Sequence, residues 1–114
     1  MTEQFHEQDD RLIVALDGDV DLNRAPEIRR LLLDCVARGL DVLVDLSGVT
    51  YIDSSGIASL VEALQEAGKN GTGLGLVAVS DDARKVFELA RLDKVFAIHS
   101  DLDTALADNK GLAG

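Results

Sequence analysis

Residues 41–68 constrain the fold more than any other stretch. Asp41-Val42-Leu43-Val44-Asp45-Leu46 is a short, β-branched, apolar run with the character of a buried strand. Ser47-Gly48-Val49-Thr50-Tyr51-Ile52 reads as a turn, and Asp53-Ser54-Ser55-Gly56 then opens an amphipathic run from Ile57 to Gly68. A strand followed at once by a helix needs a parallel neighbour, because the helix returns the chain across the sheet in a right-handed crossover.

The remaining segments supply those neighbours. Residues 4–8 and 11–16 read as strands joined by the polar pair Asp9-Asp10, which suits a tight hairpin. Leu12, Val14 and Leu16 alternate with Ile13 and Ala15, so the second strand should be covered on both faces. A helix is predicted over 24–38, with Asn23 able to cap it and Pro26 in its first turn. Its buried stripe is Ile28, Leu31, Leu32, Cys35 and Val36, and Gly39 ends it. Arg24, Arg29, Arg30 and Arg38 lie off that stripe and are expected in solvent.

The helix after Asp53 is predicted over about 55–68 with Ile57, Leu60, Val61, Leu64 and Ala67 inward, and the run from Gly68 to Gly73 breaks it. A strand from Leu74 to Val79 follows. Then comes a helix over 82–91, capped by Ser80 or Asp81, with Val86, Leu89 and Ala90 inward. Phe87 reads either as buried or as part of an exposed patch. Residues 94–98 form a final strand, and Ser100 or Asp101 caps a last helix over 102–108. The expectation is one α/β domain over 1–114, with its core at about 4–108 and a loose tail from Asn109 to Gly114. Its sheet should be mixed but mostly parallel, with about five strands and about four helices.

Charge narrows the partners. The net charge is −10 and the pI about 4.4. Nucleic acid and anionic membrane surfaces both favour basic proteins, so neither is expected as a partner. A protein with a basic docking face fits better. No apolar run reaches the roughly 20 residues that span a bilayer. The acidic opening, Met1 to Phe5, lacks a basic-then-apolar leader, so the expected location is the cytoplasm. The single cysteine, Cys35, falls on a helix stripe and reads as an inert core thiol.

Catalytic motifs fail one by one. Asp17-Gly18-Asp19-Val20-Asp21 has alternate acids, but the glycine and terminal glutamate of an EF-hand are missing, so no metal is expected. Gly71-Thr72-Gly73-Leu74-Gly75 precedes a strand, whereas a dinucleotide loop follows one. Ser55 as a nucleophile would need a base and an oxyanion hole. Of the two histidines, His6 has no evident partner and His99, at the end of the last strand, reads as solvated. A nucleophile elbow needs glycine two residues either side of the serine; Ser55 has Asp53 and Ile57 there. No enzyme activity and no cofactor are expected.

Functional groups in such sheets gather beyond the carboxyl ends of the strands. Asp17–Asn23, Thr50–Gly56 and Ser80–Asp82 should therefore meet around Ser54 and Ser55. Asp53 or Ser54 reads as the helix cap, with the serine hydroxyl behind it at the helix start. Gly56 costs about 1 kcal/mol against alanine inside a helix, and a small residue there would let another protein approach the serine closely.

The segment Val49-Thr50-Tyr51-Ile52-Asp53-Ser54-Ser55-Gly56-Ile57-Ala58-Ser59-Leu60 resembles the signature of the STAS domain, the family of bacterial anti-sigma factor antagonists. Leu16 to Asp21, Val79-Ser80 leading into Ala83 to Phe87, and Leu92 to Phe96 match further family markers, so the likeness spans about 5–108. The resemblance implies a protein that binds an anti-sigma factor serine/threonine kinase of the histidine-kinase-like ATPase fold and thereby frees a sigma factor. The kinase would phosphorylate Ser55, the second serine of the motif, and a metal-dependent serine phosphatase would reset it. ATP and magnesium would belong to the kinase. The expected partner surface takes in Asp19, Asp21, Asn23, Ser55, Gly56, Ala58, Ser59 and Glu62, with Asp53 and Ser54 as site neighbours. A phosphate on Ser55 is expected to rest on free helix N–H groups. It would also repel nearby acids by about 3 kcal/mol per unit pair at about 6 Å and an effective dielectric near 20. STAS domains also serve as interaction subunits of lipid-transport ABC systems or stress-signalling complexes, where Ser55 would stay unmodified.

Overall fold

A computed structural model describes residues 4–107. The expected tail, 109–114, and the last residue of the predicted final helix lie outside them. Five strands, β1 (Gln4–Gln8), β2 (Arg11–Val20), β3 (Asp41–Ile52), β4 (Leu74–Val77) and β5 (Ala97–His99), form one sheet in sequence order. Four helices, α1 (Ala25–Val36), α2 (Ser54–Lys69), α3 (Asp81–Leu89) and α4 (Leu102–Ala107), complete the domain. β1 runs antiparallel to β2; all other pairs are parallel.

Strands laid down in order with crossovers of one hand place the connecting helices on one face. Accordingly α1, α2 and α3 pack over Leu12, Val14, Leu16, Val42, Val44, Leu46, Leu74 and Leu76. The alternate residues Ile13, Leu43 and Val77 meet Ala105 of α4 on the other face. Coverage of β2 on that face is partial, since Ala15 is exposed. Buried Arg11 fastens α4: its Nη1 donates to the carbonyls of Ala105 (3.2 Å) and Leu106 (2.9 Å).

Two boundaries differ from the sequence expectation in a way that shapes the site. β2 runs to Val20 and β3 to Ile52, so the expected loop at 17–20 and turn at 47–52 are strand. Pairing continues through register shifts between Ala15 and Asp17 and between Gly18 and Asp19. Gly18, at φ +67°, supplies a left-handed residue beside the second shift. The glycines and acids that read as chain breakers instead let two strands stay paired while twisting past their neighbours.

The short helix α3 buries a narrower face than its sequence pattern predicts. In α3 it is Ala83 and Phe87 that are buried, and Phe87 packs edge-on against Phe96 at 5.8 Å. Leu89 is 86% exposed and Ala90 is also outside, contrary to the expected inward set. Leu89→Lys is therefore expected to change the unfolding free energy by less than about 0.5 kcal/mol in urea titration; a loss above about 1.5 kcal/mol would show that this face is covered. α2 ends at Lys69, within the run from Gly68 to Gly73 expected to break it. Ser80 caps α3 by accepting from Ala83 N (3.1 Å), and Asp101 accepts from Thr104 N (2.8 Å) before α4. Cys35 is buried, and burial pushes its thiol pKa up despite nearby Arg38, so the protonated form is favoured.

Candidate functional site

The site forms where the extended ends of β2 and β3 deliver the chain to α1 and α2. Asp53 organises it. Its Oδ1 accepts from Ser55 N (2.9 Å) and Gly56 N (3.1 Å), which makes Asp53, not Ser54, the cap of α2. Its Oδ2 accepts from Leu22 N (3.2 Å), and its own N–H donates to Val20 O (3.2 Å). One carboxylate thus ties the turn before α1 to the start of α2.

Asp21 caps the other helix approach. Its Oδ1 accepts from Asn23 N (3.1 Å) and Arg24 N (3.2 Å), and Arg24 stands at the N-cap position with no side-chain cap of its own. The expected Asn23 cap does not form: the Ala25 amide that it could have served donates to Asp21 O (2.8 Å), and Pro26 has no N–H to offer. Arg24 is not solvated: its Nη1 donates to the carbonyls of Asp17 (2.5 Å) and Asp19 (2.6 Å) and holds the bulged strand end. Thr50 Oγ1 donates to Asp19 Oδ1 (2.9 Å), joining β3 to the acidic strand. The first two expected loops therefore meet at the site. Ser80 and Asp82 instead line a separate cleft with Thr50, Tyr51 and Ile52.

Gly56 and Ser59 face the interior. A Cβ on Gly56 would lie 2.6 Å from both Val20 O and Val20 Cγ1 and 3.0 Å from Ile52 Cγ1. The close approach that Gly56 permits is thus that of the chain's own β2. Ser59 is 4% exposed, and its hydroxyl lies 3.3 Å from Ala25 O and 3.2 Å from Ser55 O, donating toward both. Both residues, expected at the partner surface, serve the packing of α2 against β2 and α1.

Ser55 is half-buried, and among the described residues its hydroxyl has no hydrogen-bond partner. It opens onto a groove of about 550 Å³ between α1 and α2. The far wall carries Leu22, Arg29, Arg30 and Leu33, and Ala58 and Glu62 continue the near wall. Leu22 is 70% exposed. Arg29 Nη2 meets Glu62 Oε2 at 2.5 Å across the groove, a contact that raises the arginine pKa and lowers that of the glutamate, chiefly through the hydrogen bond. Leu22, Arg29 and Arg30 were absent from the expected surface. The arginines lay off the apolar stripe, and only the spatial pairing of α1 with α2 brings them to Ser55's groove.

Helix N–H groups are less available than the sequence suggested. The amides of Ser55 and Gly56 are held by Asp53 Oδ1, and Ile57 N donates to Asp53 O (3.0 Å). Among the described residues no group of three His, Cys, Asp or Glu side chains could hold a metal ion. No helix among them is long and apolar enough to cross a membrane.

Known proteins resemble this chain in sequence and in fold. The chain is 28% identical over 92 residues to an anti-sigma-B factor antagonist of Staphylococcus epidermidis, covering 80% of this chain and 85% of that one. It superposes on an anti-sigma factor antagonist from Mycobacterium paratuberculosis with a TM-score of 0.85 at 31% identity, covering 93% of this chain and 91% of the other. The fold alone is shared with the Bacillus cell fate determinant SpoIIAA in its phosphorylated form, at TM-score 0.72 and 18% identity, over 93% and 97% of the two chains. The STAS domain model matches residues 4–105, and the chain belongs to the STAS domain family.

Proposed function

We propose that this chain is an anti-sigma factor antagonist that binds an anti-sigma factor serine kinase and is switched off by phosphorylation of Ser55. The observation that carries the reading is the state of the Ser55 hydroxyl. It is unpartnered and open to a groove, while every neighbour that shapes the helix start is committed to holding the backbone. A modification there adds charge at a site where the fold needs nothing from the side chain. The names borne by the relatives supply the partner class.

In the kinase step Ser55 Oγ attacks the terminal phosphorus of ATP. The Oγ–P bond forms as the bond to the ADP oxygen breaks, and the hydroxyl proton passes to a base on the kinase. A phosphatase reverses the state by directing water at phosphorus, returning serine and inorganic phosphate. The added charge of nearly −2 sits beside Asp53 and the acidic end of β2, so the gain in negative potential is local. Repulsion of about 1.4 kcal/mol against an acidic spot on the partner weakens binding tenfold.

The test incubates the chain with an anti-sigma factor serine kinase. With ATP, peptide mass spectrometry should find one phosphate, on Ser55, and none in Ser55→Ala. Ser55→Asp should bind the kinase at least about tenfold more weakly than the parent. Binding without any phosphate on Ser55 would overturn the switch and leave an unmodified interaction subunit, as in transport or stress-signalling assemblies.

A further inference from the structure

The groove contains its own answer to the phosphate, and this inference rests on the reading of Ser55 as phosphoacceptor. The α2 amides of Ser55 and Gly56 are held by Asp53, so they do not receive the new oxygens unless the cap is displaced. The basic groups lining the same groove are Arg29 and Arg30.

The two helices lie side by side in a fixed register. Ser59 Oγ donates to Ala25 O and Asn70 Nδ2 to Val36 O, so both contacts are offset by 34 residues and the helices run in the same direction. Arg29 and Glu62, offset by 33, sit on one level of that ladder. Ser55 lies seven residues before Glu62, about 10.5 Å back along α2 and about 20° from the same stripe. Side chains on a helix lean toward its N-terminus, which for Arg29 is the direction of Ser55. The extended arginine stem, together with the phosphate's projection from Oγ, covers that distance.

We propose that Arg29 is the phosphate receptor within this chain, and that phosphorylation of Ser55 draws it from Glu62 to the phosphate. A phosphoserine carries nearly two charges and three acceptor oxygens, and a guanidinium can engage two of them at once. The carboxylate it leaves offers one charge at an exposed surface. The modification therefore acts on the groove twice: it fills the Ser55 end with phosphate and leaves Glu62 as an unpaired anion two turns along α2. One of the groove's two cations is withdrawn from its outer reach at the moment the partner is to be released.

Full-length protein with phosphoserine genetically encoded at 55 tests this by ³¹P NMR titration. A guanidinium at the phosphate favours the dianion and lowers its second pKa. Arg29→Gln should raise that pKa by about 0.5 or more relative to the parent, Arg30→Gln should leave it within about 0.1, and Glu62→Gln should lower it further by removing the competitor. An unchanged pKa in Arg29→Gln, or a larger change in Arg30→Gln, overturns the assignment. Arg29 and Glu62 are about half exposed, so these variants should fold. Encoded phosphoserine needs no kinase, so this result is independent of whether a kinase modifies Ser55; the phosphorylation assay above decides that separately.

Discussion

Gly56→Ala should lower the unfolding free energy by about 3 kcal/mol, although the same change inside a helix ordinarily adds 0.5–1 kcal/mol of stability, by roughly the propensity difference. The new Cβ would meet Val20 O and Val20 Cγ1 at 2.6 Å. One of those atoms is backbone, held in the β2–β3 ladder and accepting from Asp53 N, so it cannot step aside without loosening the strand end. The expected fall in melting temperature is about 12 °C, taking about 4 °C per kcal/mol for a domain of this size. Gly68→Ala is the internal control. It lies on the same helix with nothing within 4 Å of its Cβ position, and should be neutral to stabilising by up to about 1 kcal/mol. Differential scanning calorimetry of the two variants decides it: equal shifts would mean that β2 does not press on α2 at this point. Because Ser55 precedes Gly56 directly, the clash would also displace the phosphoacceptor. Gly56→Ala should therefore be a poorer kinase substrate even below its melting temperature.

The same residue shows what could be read without coordinates. The element types were legible because period decides them: Ile57, Leu60 and Ala67 repeat at helical spacing, and Val42 to Val44 is too short and too branched for anything but a buried strand. The glycine after the serine pair was legible as an anomaly, since it sits where a helix gains from alanine. Its reason was not, because the pressing atoms belong to Val20, 36 positions earlier in sequence. The strand extensions were missed for a related cause. Gly18 and Gly48 have the chemistry of turns, and only the partner strand keeps them paired beside the two register shifts. Arg11 illustrates a third limit. Nothing in its neighbourhood marks it for burial, and its partners are carbonyls 94 and 95 residues away.

Replacing Asp53 separates the structural from the regulatory role of the helix start. In the unmodified protein Asp53→Ala removes the acceptor for Ser55 N and Gly56 N and the link to Leu22 N, and should cost about 2 kcal/mol, at the upper end for a helix cap. Asp53→Asn keeps one carbonyl oxygen for the cap but sets an amide against the Leu22 N–H and loses the charge that complements the helix dipole. About 1 kcal/mol is expected for that change. The order Ala worse than Asn, in urea unfolding, tests the bridge. Phosphoserine at 55 should change the size of the first effect. With the carboxylate gone, the amides of Ser55 and Gly56 become open to the phosphate oxygens, and an anion there meets both the N–H groups and the positive end of the helix. The Asp53→Ala penalty should then shrink to less than about 1 kcal/mol. In that background Arg29→Gln should also have a smaller effect on the phosphate pKa, because the phosphate has gained a second set of donors. An undiminished penalty in the phosphorylated chain would mean that the phosphate projects away from the helix start even when the cap is vacant. Arg29 would then be its principal ligand in both backgrounds.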